Sequence, residues 1–288
     1  MRPALLVVVL LVLAALGGCA GGGTADVHAG QGHPLSYVAL GDSYTAAPFV
    51  PLTDVAQGCL RSDHDYPSLV ARRLHVTDFR DVSCSGATTQ DLVHRQRTVA
   101  SRDVTVPPQL RALRPGTDLV TVGIGGNDFG ISRMLLVSCP RGEPSCRPAA
   151  AAPQIRRAIT ALVPRLVTVV REVRRRAPHA TVLLVGYPKV APDHGTCPAL
   201  PDLPQAALAV VNRLNLRLDQ AIAAAAQRTG AGYVDVWSAS RGHDICADVP
   251  WVNGIHGDTS RAAAMHPFGV EQRAVAQLVV RRVNRLRR

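Results

Sequence analysis

Residues Ser36 to Thr45 read Ser-Tyr-Val-Ala-Leu-Gly-Asp-Ser-Tyr-Thr, an apolar run that stops abruptly at Gly41-Asp42-Ser43. A hydroxyl placed just past the carboxyl end of a strand stands where open α/β sheets hold their ligands. A serine there is either a turn residue or a nucleophile. A nucleophilic serine needs a base to take its proton and donors for the negative charge that develops on the attacked group. Three later stretches carry groups of those types: the small-residue turn Cys84-Ser85-Gly86-Ala87-Thr88-Thr89, the turn Gly125-Gly126-Asn127-Asp128, and Met265-His266-Pro267-Phe268-Gly269.

The elements that must position these turns are legible from periodicity and breakers. Tyr37, Val38 and Leu40 favour a strand, and an unbroken apolar run suits one buried on both faces. Gly41 has no Cβ and permits a sharp turn after it. Further strands are expected over Thr77–Val82, Asp118–Ile124, Ala180–Val185 and Gly232–Val236. Between them fall a short helix over Tyr66–Leu74, capped by Asp65, a helical turn at Gln109–Leu113, and a helix over residues 129–137. Long helices follow over Gln154–Arg176, kinked at Pro164, over Gln205–Thr229, ended by Gly230, and over Val270–Arg288. Leu92–Val106 is at best amphipathic, and 46–63, 139–153, 192–204 and 239–265 read as loops. Strand and helix alternate five times, which predicts a three-layer α/β/α sandwich around a flavodoxin-like parallel sheet of about five strands. All four polar turns then lie along one sheet edge.

With 288 residues and 47% hydrophobic content, the chain is long enough for one large domain. The net charge of +11 comes almost wholly from arginine, Lys189 being the single lysine. It reads as a solvated basic surface. With no zinc-finger spacing and few aromatics, it does not read as a nucleic-acid interface. Arginines crowd the C-terminal helix, where cations suit the helix dipole; contact with anionic lipid headgroups is the sharper alternative. Arg2 precedes an apolar run from Ala4 to Leu16, too short to span a bilayer comfortably, and then Gly17-Gly18-Cys19. Small residues before a cysteine resemble a bacterial lipoprotein cleavage box. That resemblance implies a signal peptide over 1–18, a lipid on Cys19 that anchors the chain to a membrane, and a flexible tether over 19–34 before a domain of 35–288.

Setting Cys19 aside leaves Cys59, Cys84, Cys139, Cys146, Cys197 and Cys246. An even number in an exported chain points to disulfides. Six cysteines allow fifteen pairings; the simplest joins sequence neighbours, Cys59–Cys84, Cys139–Cys146 and Cys197–Cys246. Zinc has no C-x-x-C or His-rich spacing to support it. There is no G-x-S-x-G elbow and no H-E-x-x-H. Gly123-Ile-Gly125 fails as a dinucleotide fingerprint because Asp128 stands where the third glycine belongs. No cofactor and no metal are expected.

Taken in order, Gly41-Asp42-Ser43, Gly86, Gly125-Gly126-Asn127-Asp128 and His266-Pro267 resemble the four blocks of the GDSL or SGNH hydrolase family, across almost the whole mature chain. Any one block is weak; all four in order are a strong signal. The six cysteines are also similar to those of the family's secreted actinobacterial lipases, which carry three disulfides between neighbours. The chemistry fits: Ser43 attacks an acyl carbon and His266 moves the proton. The backbone N–H groups of Ser43 and Gly86, with the Asn127 amide, receive the oxyanion.

One position departs from the family. Its usual Asp three residues before the histidine is Ala263 here. Three arrangements remain open: the Ala264 carbonyl orients the ring, Asp258 swings in, or a bare Ser–His dyad operates. The expected function is ester hydrolysis by an exported, monomeric esterase or lipase acting on ester or lipid substrates. The alternatives are a cell-envelope acyltransferase and a binding lipoprotein of the same fold without turnover.

Overall fold

A computed structural model describes residues 35–101, 103–136, 148–200, 203–255 and 257–287. The expected Cys139–Cys146 bridge, Cys19 and the segments 1–18 and 19–34 lie outside the described residues, apart from the domain's start at Leu35. The strands are β1 (Ser36–Gly41), β2 (Thr53–Asp54), β3 (Arg61–Ser62), β4 (Asp78–Asp81), β5 (Gln96–Arg97), β6 (Thr105–Val106), β7 (Leu119–Gly123), β8 (Thr181–Val185) and β9 (Gly232–Val234). The helices are α1 (Ser43–Ala46), α2 (Tyr66–Arg73), α3 (Ile131–Leu136), α4 (Pro148–Arg176), α5 (Gln205–Thr229), α6 (Val236–Ala239) and α7 (Gly269–Leu286).

Five strands form one parallel sheet in the order β4-β1-β7-β8-β9. Counted along the chain this is 2-1-3-4-5, the flavodoxin-like order, whose switch point falls between β1 and β7. Alternate side chains explain the three layers. Val38, Leu40, Val120, Val122, Val182 and Leu184 share a buried cluster with residues of α4 and α5. Tyr37, Ala39, Leu119, Leu183 and Val185 share another with residues of α2 and α7. Each central strand is therefore apolar in both directions, as its unbroken run implied. Leu40 pairs with Val122 and Gly41 with Gly123, so the chain leaves both strands at one level.

Several boundaries differ from those expected. Helix α4 begins at Pro148 rather than Gln154 and continues through both Pro153 and Pro164. A proline in the first turn gives up only an N–H that has no helical partner there. Strand β9 stops at Val234 because Asp235 accepts the Ser238 N–H at 2.8 Å and starts α6. The stretch Leu92–Val106 is not helical; its regular part is the antiparallel pair β5–β6. Within the 46–63 loop, β2 and β3 form a second ribbon.

Cys59–Cys84 and Cys197–Cys246 are formed. The first ties the loop after β1 to the turn after β4, where Ser85 N–H also donates to Cys59 O at 3.0 Å. Its partners are 25 residues apart, a closure that stabilises by about 3.5 kcal/mol in the chain-entropy account. The double variant Cys59→Ser/Cys84→Ser is expected to lose about that much in urea unfolding, with a loss of turnover because the bridge ends two residues from Gly86.

Candidate active site

The serine turn is built by crowding. Gly41 keeps ordinary backbone angles, so the reason for glycine is not a left-handed turn. A Cβ there would stand 2.1 Å from Thr45 Oγ1 and 2.7 Å from Gly123 O. Gln109 clamps the strand end: Gly41 N–H donates to its Oε1 at 2.8 Å and its Nε2 donates to Gly41 O at 2.9 Å. Asp42 then caps α1 by accepting the Tyr44 N–H at 2.9 Å. Its other carboxylate oxygen accepts the Tyr187 hydroxyl. Burial pushes the Asp42 carboxyl up to about 7, with these donors pulling the other way.

Ser43 opens α1, only 8% exposed. Its Oγ is 2.8 Å from His266 Nε2, across 223 residues of sequence. His266 Nδ1 lies 2.8 Å from Ala264 O. A carbonyl can only accept, so Nδ1 carries the hydrogen and Nε2 presents a lone pair to the serine hydroxyl. Burial holds the imidazole below its usual pKa, and the Ala264 carbonyl partly offsets this.

The loop that carries His266 is tied at several points. Asn253 N–H donates to His266 O at 2.8 Å, and Asn253 Nδ2 donates to Ala262 O at 2.7 Å and to Asp258 O at 3.1 Å. Phe268 N–H donates to Trp251 O at 2.8 Å and Ala263 N–H to Pro48 O at 3.0 Å. Met265, just before the histidine, has φ +61, a left-handed conformation unfavourable for a side chain of its size. The Tyr44 hydroxyl donates to Met265 O at 2.7 Å and holds the loop in this shape. Asp258 serves its own turn: its Oδ1 accepts the Ser260 N–H at 2.9 Å and the Ser260 hydroxyl. Of the orienting groups foreseen, the one standing at Nδ1 is the Ala264 carbonyl.

Gly86 has φ +79, a conformation glycine adopts without penalty. The N–H groups beside it are used, Ser85 by Cys59 O and Ala87 by Cys84 O, both at 3.0 Å. Among the described residues neither the Ser43 nor the Gly86 N–H has a partner. Asn127 donates one amide hydrogen to Ala87 O at 3.0 Å, which leaves its second for a ligand. Asp128 turns inward. It accepts the Thr89 N–H at 2.9 Å, the Thr89 hydroxyl, and Arg165 Nη1 at 3.1 Å. This fixes the Asn127 turn against the Gly86 turn. The guanidinium of Arg165 also covers the Phe129 ring at 4.1 Å.

Ser43, Asn127 and His266 border a cavity of about 370 Å³, whose wall includes Tyr44, Tyr187, Ile255 and Met265. A mostly apolar cavity with a few convergent polar groups suits the acyl part of an ester. Among the described residues no helix is long and apolar enough to cross a membrane.

Residues 39–271 match the GDSL-like Lipase/Acylhydrolase family, and the chain belongs to it. It is 35% identical to Lipase 2 of Streptomyces coelicolor over 96% of both chains. It is 32% identical to a lipase of Streptomyces rimosus, covering 81% of this chain and 82% of that one. The crystal structure of phospholipase A1 from Streptomyces albidoflavus NA297 superposes with a TM-score of 0.70 at 29% identity, covering 88% of this chain and 99% of that one. Family and fold both match a serine-based ester hydrolase, related to secreted Streptomyces lipases and esterases.

The sequence did not single out Gln109, Tyr187 or Asn253. Gln109 and Asn253 act through amides on neighbouring backbone, and nothing in their local pattern marks them. Tyr187 had a signal: it follows directly on Gly186, where an apolar strand ends, the same punctuation that drew notice to Ser43.

Proposed function

We propose that this chain is an exported serine esterase or lipase and that Ser43 is its nucleophile. Ser43 Oγ attacks the acyl carbon of an ester while its proton passes to His266 Nε2. The imidazolium so formed is steadied at Nδ1 by the Ala264 carbonyl. The oxyanion is received by the N–H groups of Ser43 and Gly86 and the free hydrogen of the Asn127 amide. His266 returns the proton to the leaving alcohol, then activates a water that releases the acid from the acyl-serine. The observation that carries this reading is the pair of 2.8 Å contacts, Ser43 to His266 and His266 to Ala264, beside an apolar cavity.

We further propose the boundaries read from the sequence: a signal peptide over 1–18, lipid attachment at Cys19, a tether over 19–34 and a hydrolase domain over 35–288. Metabolic labelling with a radioactive fatty acid, compared between wild type and Cys19→Ala, tests the anchor. The third disulfide, Cys139–Cys146, is tested by thiol counting on the denatured protein, with two fewer free thiols expected than if it were open. The relatives' names point to lipids or phospholipids as the ester.

Hydrolysis of a panel of p-nitrophenyl esters and phospholipids by the purified mature protein, together with labelling by a fluorophosphonate probe, tests the function. Absence of both turnover and labelling would overturn it. Asn127→Ala is expected to lower kcat roughly 100- to 1,000-fold with little change in KM, because the lost donor acts mainly on charge that develops in the transition state. An equal rise in KM with kcat preserved would instead place Asn127 in ground-state binding.

A further inference from the structure

Asp42 precedes the serine and Gly126 precedes the asparagine, and one side chain joins them. Tyr187 leaves β8 two residues past its end, 6% exposed. The Gly126 N–H donates to its hydroxyl oxygen at 2.9 Å. An N–H can only donate, so the phenol accepts there and its own hydrogen goes to Asp42 Oδ2. Asp42 is 1% exposed, and no water competes freely for that oxygen. The hydroxyl is thus committed on both sides, to the turn after β1 and the turn after β7. These strands and β8 are consecutive in the sheet.

We infer that Tyr187 is a positioning residue that fixes the distance between the Ser43 turn and the Asn127 turn. The inference rests on the proposed roles of those two residues. The surroundings support it. The Tyr187 ring meets Tyr44 edge to face at 5.3 Å, and Tyr44 in turn holds the His266 loop through Met265 O. Gly126 has little room for a side chain, because an added Cβ would lie 2.8 Å from Ser132 Oγ and 3.1 Å from Tyr187 Oη. The geometry of attack tolerates little drift, and a shift of about 1 Å costs about a hundredfold in rate. Tyr187 borders the cavity, yet its hydroxyl does no chemistry on the substrate; it keeps a nucleophile and an oxyanion donor in register.

The test is Tyr187→Phe, which keeps the ring and removes both bonds. A matched control exists in Tyr233 on β9, whose hydroxyl donates to the buried Asp219. Kinetics on p-nitrophenyl butyrate are measured well below each variant's Tm, with rates referred to the folded fraction. Tyr187→Phe is expected to lower kcat by roughly 10- to 100-fold, leave KM within about twofold, and slow fluorophosphonate labelling by a similar factor. Tyr233→Phe is expected to lose stability while holding kcat within about twofold. The inference is overturned if Tyr187→Phe keeps kcat, or if the two variants lose kcat alike, which would make Tyr187 only a source of stability. Should Tyr187→Phe not fold, Gly126→Ala/Ser132→Ala compared with Ser132→Ala alone decides, since with the serine hydroxyl gone the added Cβ presses on the phenol while both hydrogen-bonding groups remain. A tenfold or larger fall in kcat upholds the inference, and an unchanged kcat removes it. Turnover that survives Ser43→Ala would sink the underlying serine reading, and the role of Tyr187 with it; full activity in Tyr187→Phe beside a dead Ser43→Ala sinks the Tyr187 inference alone.

Discussion

Ser43→Ala is expected to lower kcat on p-nitrophenyl esters by about 10⁴-fold or more and to abolish fluorophosphonate labelling. The size follows from what is removed. Among the described residues the hydroxyl that meets His266 Nε2 is that of Ser43. The oxyanion donors remain in the variant, and so does the cavity, so residual activity above the uncatalysed rate is the share that binding and charge stabilisation supply without a nucleophile. KM should change little, because the hydroxyl contributes to bond making rather than to holding the acyl group. Stability should shift by less than about 1 kcal/mol. The serine hydroxyl bonds to a ring that borders the open cavity, and the lost partner of Nε2 is replaced by water there. A variant that retains a tenth or more of wild-type kcat would show that the 2.8 Å contact is structural and that another group carries the chemistry.

The fold was legible because its signals are local and repeat. Each central strand is a short apolar run ended by glycine, such as Leu119–Gly123, and such a run needs cover on both faces. The long helices announce themselves by spacing, as Ile155, Ile159, Leu162 and Leu166 do, and all four are buried. Helix ends were less legible. Pro148 and Pro153 read as loop residues from sequence, yet helix α4 begins at the first of them, since an early proline costs little. Short ribbons such as β5–β6 were missed for the opposite reason: pairs of two residues carry no periodicity at all.

At the site, what was legible depended on whether a residue's chemistry is carried by its own side chain. Ser43 and His266 show their function in their type, and their meeting across the sheet edge follows once β1 and α7 are placed. The orienting group was legible only as one of three arrangements, the Ala264 carbonyl among them, because a backbone carbonyl leaves no mark in side-chain type. Ala263 broke the familiar pattern, and in the structure the chain turns left-handed at Met265, φ +61, with the Ala264 carbonyl 2.8 Å from Nδ1. Asp258 had the right charge and sits in the right loop. One of its carboxylate oxygens is engaged by the Ser260 N–H and hydroxyl, an Asx-type turn that two-residue spacing makes common, and that turn holds the side chain in its own loop rather than at Nδ1. The struts that join turns, Gln109 and Tyr187, are long-range by construction, acting across 68 and 145 residues. Nothing near them in sequence could reveal their partners.

His266→Ala is the second large effect, expected to lower kcat by about 10⁴-fold or more, and Ser43→Ala/His266→Ala should be no slower than either single variant. The two groups work as one device, so removing the second after the first has nothing further to remove. Additive losses would mean that they act independently, contrary to their contact. The pH profile of the wild type gives the complementary measurement. The active form is the neutral imidazole, whose Nε2 lone pair receives the serine proton. Burial disfavours the cation and holds this histidine below its usual 6.5. The acid limb of kcat/KM for an uncharged ester is therefore expected to fall below pH 6.5, with activity lost tenfold per pH unit beneath it. The sign would reverse if a carboxylate faced the ring, since a negative partner favours the imidazolium and moves the limb upward. A limb centred above 6.5 would accordingly show that an acid, with Asp258 the nearest candidate in the loop, takes the place of the Ala264 carbonyl during turnover. A limb below 6.5 that stays in place in Asp258→Ala leaves the carbonyl as the group that orients the base.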